Sequence, residues 1–181
     1  MNENVDIFQG LDEVVWADVH HAYGPAIDVP DLLRLLTSSS RERRLEAWHE
    51  LYGNLWHQGT IYEATACAVP FFIQLLQADH VSDKAEVLAY LAALFQGKGY
   101  WEVHGRRSRP DKPTAVELEG IVLQERAWAE TIRSAIRKGR ETYFHLLQTG
   151  DSRTKLSSAY LLGLLGEDNL EIIEEILKEG S

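Results

Sequence analysis

The chain has 181 residues, of which 45% are hydrophobic and 25% charged, so its composition predicts one globular domain over residues 1–181 and excludes a disordered chain. Its net charge of -10 disfavours binding to nucleic acid or an anionic membrane and favours a partner protein with a basic surface. One cysteine, Cys67, excludes an internal disulfide. Without a visible signal peptide or an apolar run of about 20 residues, we expect a cytoplasmic protein.

Helical periodicity runs along the whole chain. Apolar residues recur at spacings of three and four, as in Leu118, Ile121 and Val122, and no segment alternates as a strand would. The sequence therefore predicts an all-α protein without a sheet. The predicted helices are 28–37, 40–55, 60–78, 83–96, 114–138, 140–149, 152–165 and 168–179.

Helix starts carry sequence signals of their own. A capping box joins a Ser, Thr or Asp to an acid three residues later, and it satisfies amides that the first helical turn leaves unpaired. The spacing occurs at Ser39/Glu42, Thr60/Glu63, Asp83/Glu86, Thr114/Glu117 and Asp168/Glu171. We expect helices to begin at these places.

An internal repeat organises the predicted helices. The segment 29–36 (VPDLLRLL) aligns with 69–76 (VPFFIQLL) at an offset of 40 residues, inside the roughly 40–47 residues of HEAT and armadillo units. A third copy, 143–147 (YFHLL), follows after extra sequence. The repeat predicts a short HEAT-type α-solenoid, a right-handed superhelix of antiparallel helix hairpins. Pro30 and Pro70 would each lie in the first turn of a helix.

Residues 97–113 (GKGYWEVHGRRSRPDKP) depart from the repeat. Three glycines and two prolines predict a loop, which carries five basic residues against two acidic ones. Because interface hot spots are rich in Trp, Tyr and Arg, we expect this loop to bind a partner, with Trp101 as its anchor. A mobile linker with solvated charge is the alternative. The candidate binding residues are Tyr100, Trp101, His104, Arg106, Arg107 and Arg109.

Catalytic and metal motifs are absent from the sequence. It has no nucleophile elbow or phosphate-binding loop, and Cys67 falls on an apolar helix face, which predicts a buried thiol. His20, His21, His57 and His104 could converge, but their spacing matches no metal motif. We therefore predict neither a cofactor nor a metal and no enzymatic activity. Tryptophans and phenylalanines at helical spacing, such as Trp48 and Phe72, are expected in the core.

The segments HAYGPAIDVPDLLRLL and LYGNLWHQGTIYEATACAVPFFIQLL resemble a family of bacterial HEAT-repeat proteins, most of unassigned function. The likeness spans about residues 16–165. Some members are thought to be immunity proteins of polymorphic toxin systems, so the resemblance implies a non-catalytic module that binds and neutralises a toxin.

Two alternatives stay open. One is a scaffolding subunit that associates with itself. The other, which the acidity disfavours, is a HEAT-like nucleic-acid enzyme such as a DNA glycosylase, because such an enzyme needs a basic groove. Outside the loop, the basic residues that cluster are Arg133, Arg137, Lys138 and Arg140.

Overall fold

The computed structural model describes residues 7–105 and 113–167, and this part of the chain is mostly helical. A 3₁₀ turn at Leu11–Glu13 precedes the first helix. The helices are α1 (Val29–Leu35), α2 (Arg41–Asn54), α3 (Glu63–Gln77), α4 (Lys84–Gln96), α5 (Tyr100–His104), α6 (Ala115–Lys138), α7 (Arg140–Thr149) and α8 (Ser152–Leu164). Seven of them confirm predicted helices to within a few residues. The predicted helix 168–179 lies outside the described residues.

Two short strand pairs correct the prediction that the chain has no sheet. Strands β1 (His20–His21) and β2 (Gly24–Pro25) form an antiparallel hairpin, whose turn ends at Gly24 with a φ of 129° that favours glycine. Strand β3 (Thr60–Ile61) pairs in parallel with β4 (Lys98–Gly99). Strands this short cannot be predicted from hydrophobic periodicity, because two residues are too few to show an alternating pattern. The second pair ties the α2–α3 connection to the α4–α5 connection.

Pro70 lies in the middle of α3, so the prediction that it begins a helix was wrong. Pro30, in contrast, does lie in the first turn of α1. Helix α3 begins earlier, at Glu63, because the Thr65 hydroxyl accepts the backbone N–H of Tyr62 at 2.9 Å and donates to the Leu55 carbonyl at 2.7 Å. Proline within a helix removes one backbone hydrogen bond. The two Val-Pro pairs are therefore not structurally equivalent.

The predicted helix caps are correct in part. Thr114 and Glu117 form the expected capping box at the start of α6. At α2 the cap is Ser40 rather than Ser39, and at α3 it is Tyr62 rather than Thr60. Asp83 precedes α4 but makes no capping bond, because its carboxylate pairs with Arg44 at 2.7 Å. A spacing motif alone does not show which of several partners a carboxylate takes.

Consecutive helices pack in pairs: α1 on α2, α3 on α4, and α7 on α8. The first helices of neighbouring pairs also meet, because α3 contacts both α1 and α7. Helix α4 packs on α8, and side chains join it to α2, as between Arg44 and Asp83. Helix α6 packs on α3 and α4.

The core between these helices is apolar and rich in aromatic rings. Trp48 stacks on Phe72 and meets Tyr90 edge to face, with ring centroids 6.2 and 5.4 Å apart. Leu36 and Leu76, at equivalent positions of the two aligned segments, are both buried as predicted. Trp56 and Trp128 are half-buried against the core. The sequence thus predicts the core correctly even where the repeat boundary was wrong.

Candidate functional site

Residues 98–104 of the segment predicted as a loop form a short strand and a helical turn, which corrects that prediction for these residues. Lys98 and Gly99 form β4, and Tyr100, Trp101 and His104 lie in α5. The glycines and prolines of the segment flank the run Tyr100–His104 rather than interrupt it, so one helical turn can form there. Arg106, Arg107 and Arg109 lie outside the described residues.

One buried carboxylate anchors α5. Glu125 of α6 is only 3% exposed, and its two oxygens accept hydrogen bonds from the backbone N–H groups of Trp101 at 2.8 Å and Glu102 at 2.9 Å. These amides belong to the first turn of α5, which has no earlier carbonyl to pair with. Burial raises the pKa of Glu125, although both backbone hydrogen bonds oppose that rise. The carboxylate therefore has a positioning role for α5.

Gly99 is required by the same contact. A Cβ at this position would collide with the Glu125 carboxylate, and a Cβ at Gly97 would collide with the Ile61 side chain. Both glycines are buried, and both have negative φ angles of ordinary extended backbone, at -65° for Gly99 and -61° for Gly97. They are needed for close approach rather than for backbone freedom.

Aromatic and imidazole rings from three connections gather beside α5. The rings of Tyr100 and His104 are 4.8 Å apart, and those of Tyr23 and His57 are 5.5 Å apart. Tyr62 lies near both pairs. Burial raises the pKa of its phenol, the hydrogen bond with the Thr60 hydroxyl opposes that rise, and the Tyr100 and Tyr23 phenols and the Glu125 carboxylate add smaller increases. We name Tyr23, His57, Tyr62, Tyr100 and His104 the aromatic edge.

Hydrogen bonds define the imidazole tautomers on the β1–β2 hairpin side. His21 Nδ1 accepts the backbone N–H of Tyr23 at 3.0 Å, so its Nε2–H donates to Asp28 Oδ1, also at 3.0 Å. The other oxygen of Asp28 accepts from the Asn54 side-chain amide at 2.6 Å. His57 Nδ1 lies 3.2 Å from the Gly53 carbonyl and 3.3 Å from the Tyr23 hydroxyl, so Nδ1 carries the hydrogen.

Of the four candidate histidines, His21 and His57 contact the same tyrosine ring. Tyr23 lies between His21 and His57, with ring centroids 6.3 and 5.5 Å away, whereas His104 contacts Tyr100 and His20 is exposed. Within residues 7–105 and 113–167, no group of three or more His, Cys, Asp or Glu side chains could hold a metal ion. His21 and His57 make hydrogen bonds, and His104 makes a ring contact with Tyr100.

Cys67 is half-buried rather than fully buried, and burial, helped by the nearby Glu63 carboxylate, raises the pKa of its thiol. A raised thiol pKa lowers the fraction of reactive thiolate at neutral pH.

Sequence reasoning missed Glu125, Gly99 and Tyr62. A signal for Glu125 was present, because it shares its helix face with the buried Ala129, Ile132 and Ile136. An acid on the apolar face of a helix needs a buried partner, and here the partner is the first turn of α5.

These features define a predominantly helical protein with an aromatic edge built from inter-helix connections and from α5. No described helix is long and apolar enough to cross a membrane. Comparison with known proteins finds no matching family model, no matching curated protein and no matching solved structure.

Proposed function

We propose that this chain is a non-catalytic protein-binding module built as a short HEAT-type solenoid. The order of helix packing supports the solenoid: three hairpins follow one another, and both α3 and α4 contact helices of neighbouring hairpins. Such stacking gives solenoids extended surfaces for partners. Pro30 lies in the first turn of α1, whereas Pro70 lies in the middle of α3. The two repeat units that we propose therefore begin at different distances from their Val-Pro pairs.

The observation that carries the proposal is the way α5 is held. Its backbone is fixed by the buried Glu125 carboxylate, while none of its side chains is buried. Tyr100, Trp101 and His104 are thus kept partly exposed on an ordered turn. Binding to an ordered surface loses less conformational entropy than binding to a mobile loop. Tyrosine and tryptophan are also the residue types that contribute most to interfaces.

The charge of the chain indicates the kind of partner. A net charge of -10 attracts a protein with a basic surface and increases the association rate at low salt. The particular form that we propose is an immunity protein, which occludes a basic toxin. The resemblance described above and the acidity of the chain support this form.

The test is affinity capture of a partner from the lysate of the source cell, with quantification of every captured protein. We expect the wild type to capture a basic protein, and we expect Trp101→Ala combined with Arg107→Ala to capture much less of it. Tyr160→Ala is the matched control, because Tyr160 is 54% exposed on α8 and outside the 97–113 segment. Equal capture by all three proteins would remove Trp101 and Arg107 from the binding surface.

The immunity form has its own experiment. The captured protein is expressed in a host cell with and without this chain, and growth is recorded. We expect growth arrest by the partner alone and recovery on co-expression with the wild type, but weaker recovery with the Trp101/Arg107 variant. A harmless partner would exclude the immunity role while leaving the binding module in place.

A further inference from the structure

The first half of α6 has an apolar face that no other described element covers. All buried residues of α6 lie at Glu125 or later, and none of residues 115–124 is buried. Val116 is 80% exposed and Leu123 is 70% exposed. Together with the exposed Gly120 and Ala127, they form a line along the helix that we name the α6 outer stripe.

The spacing of the outer stripe is that of a helix-pairing seam. Its positions 116, 120, 123 and 127 are separated by four, three and four residues, the alternation of the apolar positions in a coiled coil. The stripe points away from the side of α6 that carries Ala129, Ile132 and Ile136 into the core. A helix face that only meets water would carry polar residues there.

We propose that the outer stripe binds the same stripe of a second copy of this chain, with the two α6 helices antiparallel. In this arrangement Val116 faces Ala127 of the second copy, and Gly120 faces its Leu123. Each layer then pairs a large side chain with a small one, which is how well-packed cores fill space. A parallel arrangement would instead place glycine opposite glycine and leave a gap.

The local shape agrees with this pairing. A Cβ added at Gly120 would meet nothing within 4 Å, so the backbone there is open to a neighbour. A shallow, open depression lies beside it, lined by Pro113, Glu117, Gly120, Ile121 and Gln124. Leu123 of the second copy would enter this depression over Gly120.

Charge supports a second copy rather than an unrelated helix. Glu119 and Arg126 border the outer stripe, and both are exposed. Antiparallel pairing places Glu119 opposite Arg126 of the second copy, and the two-fold symmetry forms this ion pair twice. Arg126 also contacts Glu102 at 3.1 Å, but its side chain is 63% exposed and can reach outward. The antiparallel helix dipoles add a further attraction.

The interface is short, so the dimer is expected to be weak. Two such helix segments bury less area than a standard protein interface. We expect a dissociation constant between about 1 μM and 1 mM. Sedimentation velocity of the full chain over this concentration range measures it.

Charge reversal tests the register. We expect Glu119→Arg and Arg126→Glu to raise the dissociation constant at least about tenfold each. An equal mixture of the two variants should dimerise again, because each reversed charge then meets its opposite. Glu46→Arg is the matched control, since Glu46 is exposed on α2 and makes the same change of charge. It should leave the dissociation constant unchanged.

The Gly120→Gln variant distinguishes an effect on association from an effect on folding. The added side chain has open space in the isolated chain and replaces a poor helix former, so thermal stability should be kept or increased. Association should fall, because the close approach of the helices is blocked.

Disulfide formation tests the orientation. In a Cys67→Ala background, a mixture of Val116→Cys and Ala127→Cys proteins should cross-link under mild oxidation, whereas the Val116→Cys protein alone should not. A wild type that stays monomeric throughout the range would overturn the proposal. So would a dimer that ignores both Glu119→Arg and Gly120→Gln, or cross-linking of Val116→Cys to itself. The cysteine pair decides the orientation even where Arg126→Glu does not fold.

Discussion

The hydroxyl of Tyr90 donates a hydrogen bond of 2.6 Å to the backbone carbonyl of Leu51, which joins the middle of α4 to the second half of α2 inside the core. Tyr90 is fully buried, and its ring also contacts Trp48, Tyr52 and Phe72. The bond thus fixes the position of α4 relative to α2 in addition to the apolar packing.

Tyr90→Phe keeps the ring and removes the hydroxyl, so it should lower the free energy of unfolding by about 0.5–1.5 kcal/mol, the net value of one hydrogen bond, because the Leu51 carbonyl still accepts the backbone N–H of Leu55 at 3.0 Å. Urea denaturation measures the loss. Tyr160→Phe is the control, because the Tyr160 hydroxyl accepts an exposed hydrogen bond from the Gln96 side-chain amide that should contribute little. An equal decrease in the unfolding free energy of both variants would mean that the buried hydrogen bond to Leu51 contributes no more than the exposed one.

Leu76→Ala should lower the free energy of unfolding by roughly 2–5 kcal/mol, because it removes a buried side chain and leaves a cavity. Leu76 is 1% exposed in the core between the hairpins. The comparison protein is Leu156→Ala, since Leu156 is 45% exposed on α8. A denaturation midpoint unchanged by Leu76→Ala would contradict the packing described above.

Gly99→Ala should displace α5, because its Cβ would collide with the Glu125 carboxylate. We expect faster amide hydrogen exchange in residues 100–104 while α4 keeps its protection. Gly120→Ala serves as the control, because a Cβ there meets nothing. Unchanged exchange in α5 would show that the carboxylate can move aside without releasing the turn.

Glu125→Gln should alter how stability depends on pH. The folded state raises the pKa of Glu125 above the 4.5 of an unperturbed glutamate, so the folded state holds the proton more tightly. The contribution of Glu125 to stability is therefore fully present below the unfolded pKa and decreases as pH rises through the folded pKa. The unfolding free energies of the wild type and of Glu125→Gln should thus differ by an amount that changes as the pH rises above 4.5. A constant difference would contradict the raised pKa.

Buried tyrosines should resist alkaline titration. Burial raises the pKa values of Tyr90 and Tyr143, and burial together with the Glu86 carboxylate raises that of Tyr52. These phenols stay protonated in the folded state, so they stabilise it below the unfolded pKa of about 10, and this stability is lost at higher pH. Ultraviolet titration should show that Tyr52, Tyr90 and Tyr143 form a late group that ionises only on unfolding. One uniform transition would contradict the burial.

The sequence by itself determined where the long helices lie and which of their faces are apolar, because helical periodicity and capping are local properties. It therefore located the burial of Leu36, Leu76 and Trp48. The repeat alignment misplaced Pro70, which lies in mid-helix because α3 begins at Glu63. Only the tertiary structure decided the state of Tyr100–His104, whose helical turn is stabilised by Glu125, a residue 24 positions beyond Trp101. A contact across that separation leaves no periodic trace in the chain, and this is the physical reason that a segment expected to be a loop is an ordered turn.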